Sequence, residues 1–157
     1  MALEFSPPVL EECRKIIAKY PRPRSAVLPL LYIAQREFGY ISKEVEELVA
    51  GMLDLAPSEV AGVVSFYTMF HREPVGRYVL EVCRTLSCAL MGADDIASHL
   101  QRRLGIRPGE TTPDGRFTLR NVECLGSCGT GPAIQINGEY HENLDIQKLD
   151  RVLDALP

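Results

Sequence analysis

Four of the five cysteines fall in two pairs, Cys83-x4-Cys88 and Cys124-x3-Cys128, and each pair directly follows a run that reads as a β-strand. That arrangement restricts the fold more than any other feature of the chain. Strand ends that leave one edge of a sheet bring two such loops together and set four thiolates around one point, the donor set of a metal centre. The fifth cysteine, Cys13, stands apart on a predicted helix, in register with Val9, Ile16 and Ile17, and reads as a core side chain. An odd count argues against a closed disulfide framework. A chain of 157 residues does not need one, because a domain of about 150 residues buries roughly 68–70% of its unfolded surface.

Charge and hydropathy exclude several settings. The formal net charge is −4, and the basic residues are spread evenly, nine before Leu80 and eight after it. A phosphate-binding stripe would need them clustered, so no nucleic-acid partner is expected. The segment from Met1 to Pro8 has no basic stretch leading into an apolar run. Glu4, Glu11 and Glu12 also come too early for an Arg-rich transit peptide, so no leader is expected. The longest apolar stretch, Val60 to Phe70, is interrupted by Gly62, Ser65 and Thr68 and is too short to span a bilayer, so direct membrane insertion is not expected. These features predict a cytoplasmic protein with reduced thiols, where cysteines act as ligands or reactive groups.

The first half reads as helices. Ser6 is a candidate N-cap with Pro7 at the first helical position, and Pro21 and Pro23 stop the run. A second helix is expected after Ser25, with Pro29 in its first turn and Gly39 as C-cap. Ser42 opens a third, with Glu44, Glu46 and Glu47 near the positive end of its dipole. Ala56-Pro57-Ser58-Glu59 begins a fourth, which leads into Phe66-Tyr67. After Pro74-Val75-Gly76 the period changes. Tyr78, Leu80 and Val82 alternate as in a strand, with Val79 the one exception. Ala89 to Leu104 has helical apolar spacing capped by Gly105. Strands then follow at Phe117 to Val122 and Ala133 to Ile136, and Asn137-Gly138 turns the latter into Glu139 to His141. A last helix is expected from Asp145. The fold class is therefore mixed α/β: a small N-terminal helical bundle over residues 1–75, then a mixed-sheet domain over residues 76–157.

The residue pattern leaves the metal open. Neither pair has the C-x2-C spacing of tight zinc knuckles, although separations up to four residues occur in zinc sites. A [2Fe–2S] cluster is larger and suits more widely spaced ligands from two loops. Gly126, Gly129 and Gly131 would let backbone amides approach the sulfurs. Leu86, Leu90 and Leu125 would exclude water, and Thr85, Ser87, Ser127 and Thr130 would supply hydroxyl donors. A thioredoxin-type dithiol is excluded by spacing. His71, His99 and His141 are scattered and read as surface or packing residues. Gly131 is followed by Pro132 and Ala133, so the glycine-rich segment is no P-loop, and no G-x-G-x-x-G follows a strand. The chain is expected to bind neither NADH nor flavin by itself.

Cys83-Arg-Thr-Leu-Ser-Cys88 and Val122-Glu-Cys124-Leu-Gly-Ser-Cys128 closely resemble the thioredoxin-like [2Fe–2S] ferredoxin subunits (the E subunits) of bacterial NADH:quinone oxidoreductase, complex I. The likeness covers nearly the whole chain and extends through Leu30-Leu31 to Phe38-Gly39-Tyr40-Ile41, Val60 to Tyr67, Pro74 to Tyr78 and Gly109 to Phe117. It implies a helical domain followed by a thioredoxin-like domain, and one [2Fe–2S] cluster on Cys83, Cys88, Cys124 and Cys128. It also implies a partner subunit that binds FMN and NADH, in the peripheral arm on the cytoplasmic side of the membrane. NADH releases a hydride, two electrons together, whereas the cluster takes one, so a flavin must stand between them. The chain would then be a subunit of an NADH dehydrogenase, with no catalytic residue and no NADH oxidation of its own. The helical half is expected to supply docking surface. Phe66, Tyr67 and Phe70 are candidates for that contact or for the core. Two alternatives remain: the equivalent diaphorase subunit of an NAD-linked hydrogenase or formate dehydrogenase, and a four-cysteine zinc interaction module.

Overall fold

The computed structural model describes residues 3–157. Met1 and Ala2, at the head of the segment expected to carry no leader, lie outside the described residues. Contacts divide the chain into two compact units, Met1–Pro74 and Val75–Pro157.

The first unit is helical. α1 (Pro7–Ile17) starts after Ser6 with Pro7 in its first turn, where no intrahelical partner is lost. A 3-10 turn (Pro23–Ala26) precedes α2 (Val27–Phe38), which Gly39 closes with φ 83°. α3 (Lys43–Leu53) opens where the Val45 N–H donates to the Ser42 hydroxyl at 3.3 Å. α4 (Pro57–Phe66) opens where the Ala56 N–H donates to the Glu59 carboxylate at 3.2 Å. Their apolar faces meet in a core that includes Cys13, Leu30, Leu31, Val45, Val49, Val60 and Val64. Cys13 is fully buried there, as its helical register predicts. Phe70 is buried too, edge-on to Tyr32, whereas Phe66 is 77% exposed at the end of α4. Among the described residues no single helix is long and apolar enough to cross a membrane. α3 and α4 reach that length only as a pair, bent by 120° at their break.

The second unit is a mixed sheet with helices against it, so the chain has the α/β class expected. β1 (Tyr78–Cys83) lies inside a four-stranded sheet of order β2-β1-β3-β4, with β2 at Phe117–Val122, β3 at Ile134–Ile136 and β4 at Glu139–His141. β1 and β2 run parallel with Cys83 opposite Val122, while β3 pairs antiparallel to β1 and to β4. Val79 breaks the alternation because an interior strand of this sheet is covered on both faces. The β3–β4 turn uses Asn137 and Gly138, both at positive φ, as a two-residue hairpin requires.

One predicted helix is two. α5 (Leu86–Leu90) and α6 (Ala93–Leu104) are separated at Gly92, whose φ of 97° is open to glycine and resisted by a β-carbon. The break turns Leu90 away from the apolar stripe of α6 and leaves it 77% exposed. α7 (Ile146–Ala155) begins where the Lys148 N–H donates to the Asp145 carboxylate at 2.6 Å. Leu100 of α6 and Leu149 and Leu153 of α7 pack in one core with Leu80, Val82, Leu119 and Ile134 of the strands.

Polar contacts fasten α6 to α7. His99 lies 2.8 Å from Asp150, and Arg103 bonds both Asp150 and Asp154. Hydrogen bonds from His99, then Arg103, hold the Asp150 carboxyl below the usual carboxylate range. A carboxylate whose pKa falls on folding adds stability above its unfolded pKa, and loses it as pH drops through the lowered folded value. Asp150→Asn should therefore lower the thermal midpoint at neutral pH by roughly a few degrees. It should also shrink the loss of midpoint between neutral pH and about pH 3, as scanning calorimetry would read.

Candidate metal centre

The parallel register carries both cysteine loops off the same end of the sheet. Cys83 is the last residue of β1; its N–H donates to the Ala133 carbonyl at 3.2 Å, and the next N–H, of Arg84, donates to Val122 at 3.1 Å. Those two bonds fix the first loop between the end of β2 and the approach to β3. Cys88 sits on α5, and Cys124 follows β2 by two residues. Cys128 lies in a turn closed by the Thr130 N–H on the Ser127 carbonyl at 3.1 Å.

The four thiols are not equivalent. Cys83 and Cys88 are buried, packed with Ala93 and Ala133 and flanked by Leu125, while Cys124 and Cys128 are exposed. Burial pushes the Cys83 thiol up. Backbone N–H groups of Thr85 and Leu125, together with the Cys88 and Thr85 side chains, outweigh it and hold the thiol below its ordinary value. That is the environment of a sulfur prepared to carry negative charge. Cys88 goes the other way: burial and the neighbouring Cys83 raise it, against a backbone hydrogen bond from Ala133, and the charge of Cys128 adds to the rise. The Cys124 sulfur accepts the Gly126 N–H at 3.3 Å. A β-carbon on Gly131 would stand 3.2 Å from the Cys88 sulfur, so this glycine is there for closeness.

The structure therefore links Cys83 to Cys88 directly and sets Cys128 within electrostatic reach of Cys88. Among the described residues no three His, Cys, Asp or Glu side chains are gathered closely enough to hold a metal ion, so the expected meeting of four thiolates around one point is not seen. A two-iron cluster divides its thiolates between two irons, so paired donors on two loops, with N–H groups aimed at sulfur, fit that group.

Other expectations for this region divide. The Thr85 hydroxyl and Leu125 do reach the first pair, as expected. Leu86 and Leu90 do not cover it: they are 70% and 77% exposed, because, four residues apart on α5, they share one face while the helix buries Cys88. Ser127 and Thr130 give their protons to Glu142, Thr130 at 2.6 Å, and not to sulfur. Glu142 and Tyr140, whose hydroxyl donates to the Leu125 carbonyl at 3.0 Å, are contributors that the cysteine spacing gave no signal of. Of the histidines, His99 serves the α6–α7 contact.

A mixed sheet with two cysteine loops on one edge defines a class of small α/β metalloprotein. The family model for the thioredoxin-like [2Fe–2S] ferredoxin matches residues 13–157, and the chain belongs to that family, with one [2Fe–2S] cluster as its cofactor. It is 47% identical over 145 residues to an E subunit of the NADH-quinone oxidoreductase of Rhizobium meliloti (strain 1021), covering 92% of this chain and 86% of that one. It is likewise 47% identical over 142 residues to NADH-quinone oxidoreductase subunit 2 of Thermus thermophilus, covering 88% and 78%. Among solved structures, the NAD+-reducing [NiFe]-hydrogenase in its air-oxidized state superposes with a TM-score of 0.70 at 26% identity, over 80% of this chain. The chain spans 22% of that hydrogenase chain.

The Gly131 contact makes a paired test. Gly131→Ala pushes a methyl group into the Cys88 sulfur, whereas a β-carbon at Gly129 meets nothing within 4 Å. Gly131→Ala should bleach under chelator about tenfold faster than wild type, and Gly129→Ala should bleach at the wild-type rate, followed by visible absorbance.

Proposed function

We propose that this chain is the electron-transfer subunit of an NADH:quinone oxidoreductase, with Cys83, Cys88, Cys124 and Cys128 as the ligands of its cluster. The observation that carries the reading is the parallel register of Cys83 with Val122, which brings both cysteine loops to one sheet edge. Bound there, the [2Fe–2S] group accepts and releases one electron at a time. The chain's own residues do the rest. Thr85 and Leu125 direct N–H groups to the Cys83 sulfur, and Ala133 directs one to Cys88. Leu125 covers the buried pair.

The two units divide the work in this proposal. Residues 76–157 form the ferredoxin domain, and residues 1–75 form the docking domain for the subunit that binds FMN and NADH. The assembly is the peripheral arm of the complex on the cytoplasmic side of the membrane. Support for the quinone-linked complex comes from relatives that match this chain along most of both lengths at 47% identity. The hydrogenase likeness, at 26% identity, supports the diaphorase of an NAD-linked hydrogenase as the second reading.

Anaerobic purification tests the core of this reading. The expected protein is brown, with two irons per chain and an EPR signal after dithionite. Cys124→Ser should remove or shift that signal and Cys13→Ser should leave it intact. A colourless chain with stoichiometric zinc would sink the proposal. For docking, the exposed Phe66 is the side chain to change. Phe66→Ser should weaken capture of the flavin subunit about tenfold, of the order a central interface aromatic contributes. Undiminished capture after removal of residues 1–75 would move the docking surface to the sheet unit.

A further inference from the structure

We propose that Glu142 is a positioning residue for the second cysteine loop, holding Cys128 in place through the hydroxyls on both sides of it. The inference rests on the reading of Cys128 as a cluster ligand. Cys128 is exposed, so core packing does not fix it. Its turn is instead tied from the flanks. Ser127, one residue before it, and Thr130, two residues after it, both donate to the same Glu142 oxygen, Thr130 at 2.6 Å. Those two bonds, in that order, hold the Glu142 carboxyl below the usual carboxylate range. Glu142 is therefore charged at neutral pH, and hydrogen bonds to a charged acceptor are the strong kind.

Glu142 is itself held. It follows β4 directly, and the Lys148 ammonium of α7 donates to its backbone carbonyl at 2.5 Å. The residues around it continue the same attachment. The Asn143 N–H donates to the Thr130 carbonyl at 2.6 Å, the Leu144 N–H to the Pro132 carbonyl at 3.1 Å, and the Tyr140 hydroxyl to the Leu125 carbonyl at 3.0 Å. The segment from Tyr140 to Leu144 thus runs along the whole second cysteine loop, and Glu142 grips it at the turn that carries Cys128. Because the two hydroxyls spend their protons on the carboxylate, they are also kept from rotating toward sulfur.

Two readouts test this on the full chain. By hydrogen exchange, Glu142→Ala should speed exchange of the Thr130 N–H about tenfold while amides of β1 and β2 keep their protection. In the iron-loaded protein the same variant should bleach under chelator about tenfold faster and broaden the EPR signal, the size expected for loss of an outer partner of a ligand. Glu142→Gln keeps an acceptor oxygen at the same reach and should return both readouts toward wild type. If Glu142→Ala fails to fold, the double variant Ser127→Ala with Thr130→Val removes the donors and leaves Glu142 in place; it should reproduce both changes. Wild-type exchange and wild-type bleaching in Glu142→Ala, or in that double variant, would overturn the proposal. A wild-type chain that takes up no iron would instead overturn the cluster reading, while the exchange measurement would still decide the role of Glu142.

Discussion

Because β1 and β2 run parallel with Cys83 opposite Val122, the two strands leave the sheet at the same end, and every later feature of the site inherits that geometry. An antiparallel pairing of the same strands would send the two cysteine pairs to opposite ends. A parallel pair needs a crossover connection, and α5 and α6 supply it, so Cys88 is carried on the element that makes the pairing topologically possible. The antiparallel β3 then enters the sheet beside the same edge. Its approach delivers the Ala133 carbonyl to the Cys83 N–H and brings Gly131 against the Cys88 sulfur. Three segments distant in sequence meet because one register is fixed.

Burial and hydrogen bonding oppose each other at this edge, and their balance differs between the two buried sulfurs. Desolvation disfavours a thiolate at both positions. At Cys83 the N–H groups of Thr85 and Leu125 reverse that preference; at Cys88 the single bond from Ala133 does not, with Cys83 already competing for negative charge next to it. A bound metal lowers the cost for both, since coordination favours the deprotonated sulfur. In the proposed centre, the protein would meet part of the cost of a charged ligand set in advance at Cys83 and leave the rest to the metal.

How much of this was legible in the sequence follows from how local each cause is. Helix starts at Ser42 and Asp145 were readable because a capping side chain and its helix lie within a few residues, and the start after Ser6 because Pro7 stands in the first turn, although the Ser6 side chain makes no capping bond. The Asn137-Gly138 turn was readable for the same reason. The break at Gly92 was not, because the apolar spacing from Leu90 to Leu104 continues in phase across it and only the backbone angle reveals the interruption. Cysteine spacing announced two loops that leave the sheet at one end, as Cys83 ends β1 and Cys124 follows β2 closely. It could not announce Gly131, Ala133 or Glu142 as their neighbours, since those contacts exist only once β3 and β4 have folded back. Ser127 and Thr130 illustrate the limit: beside a cysteine they read as donors to sulfur, yet a carboxylate that arrives from β4 is the stronger acceptor.

The asymmetry of burial also bears on how such a centre works within an assembly. Cys83 and Cys88 are buried, whereas Cys124 and Cys128 are exposed. Solvent exposure and hydrogen bonds to sulfur are two of the factors that set a cluster's potential. On the inner pair both are fixed by this chain's own packing. In the proposed centre, this chain's own packing and hydrogen bonds would set these factors at the inner pair, while the outer pair would keep its contact with solvent.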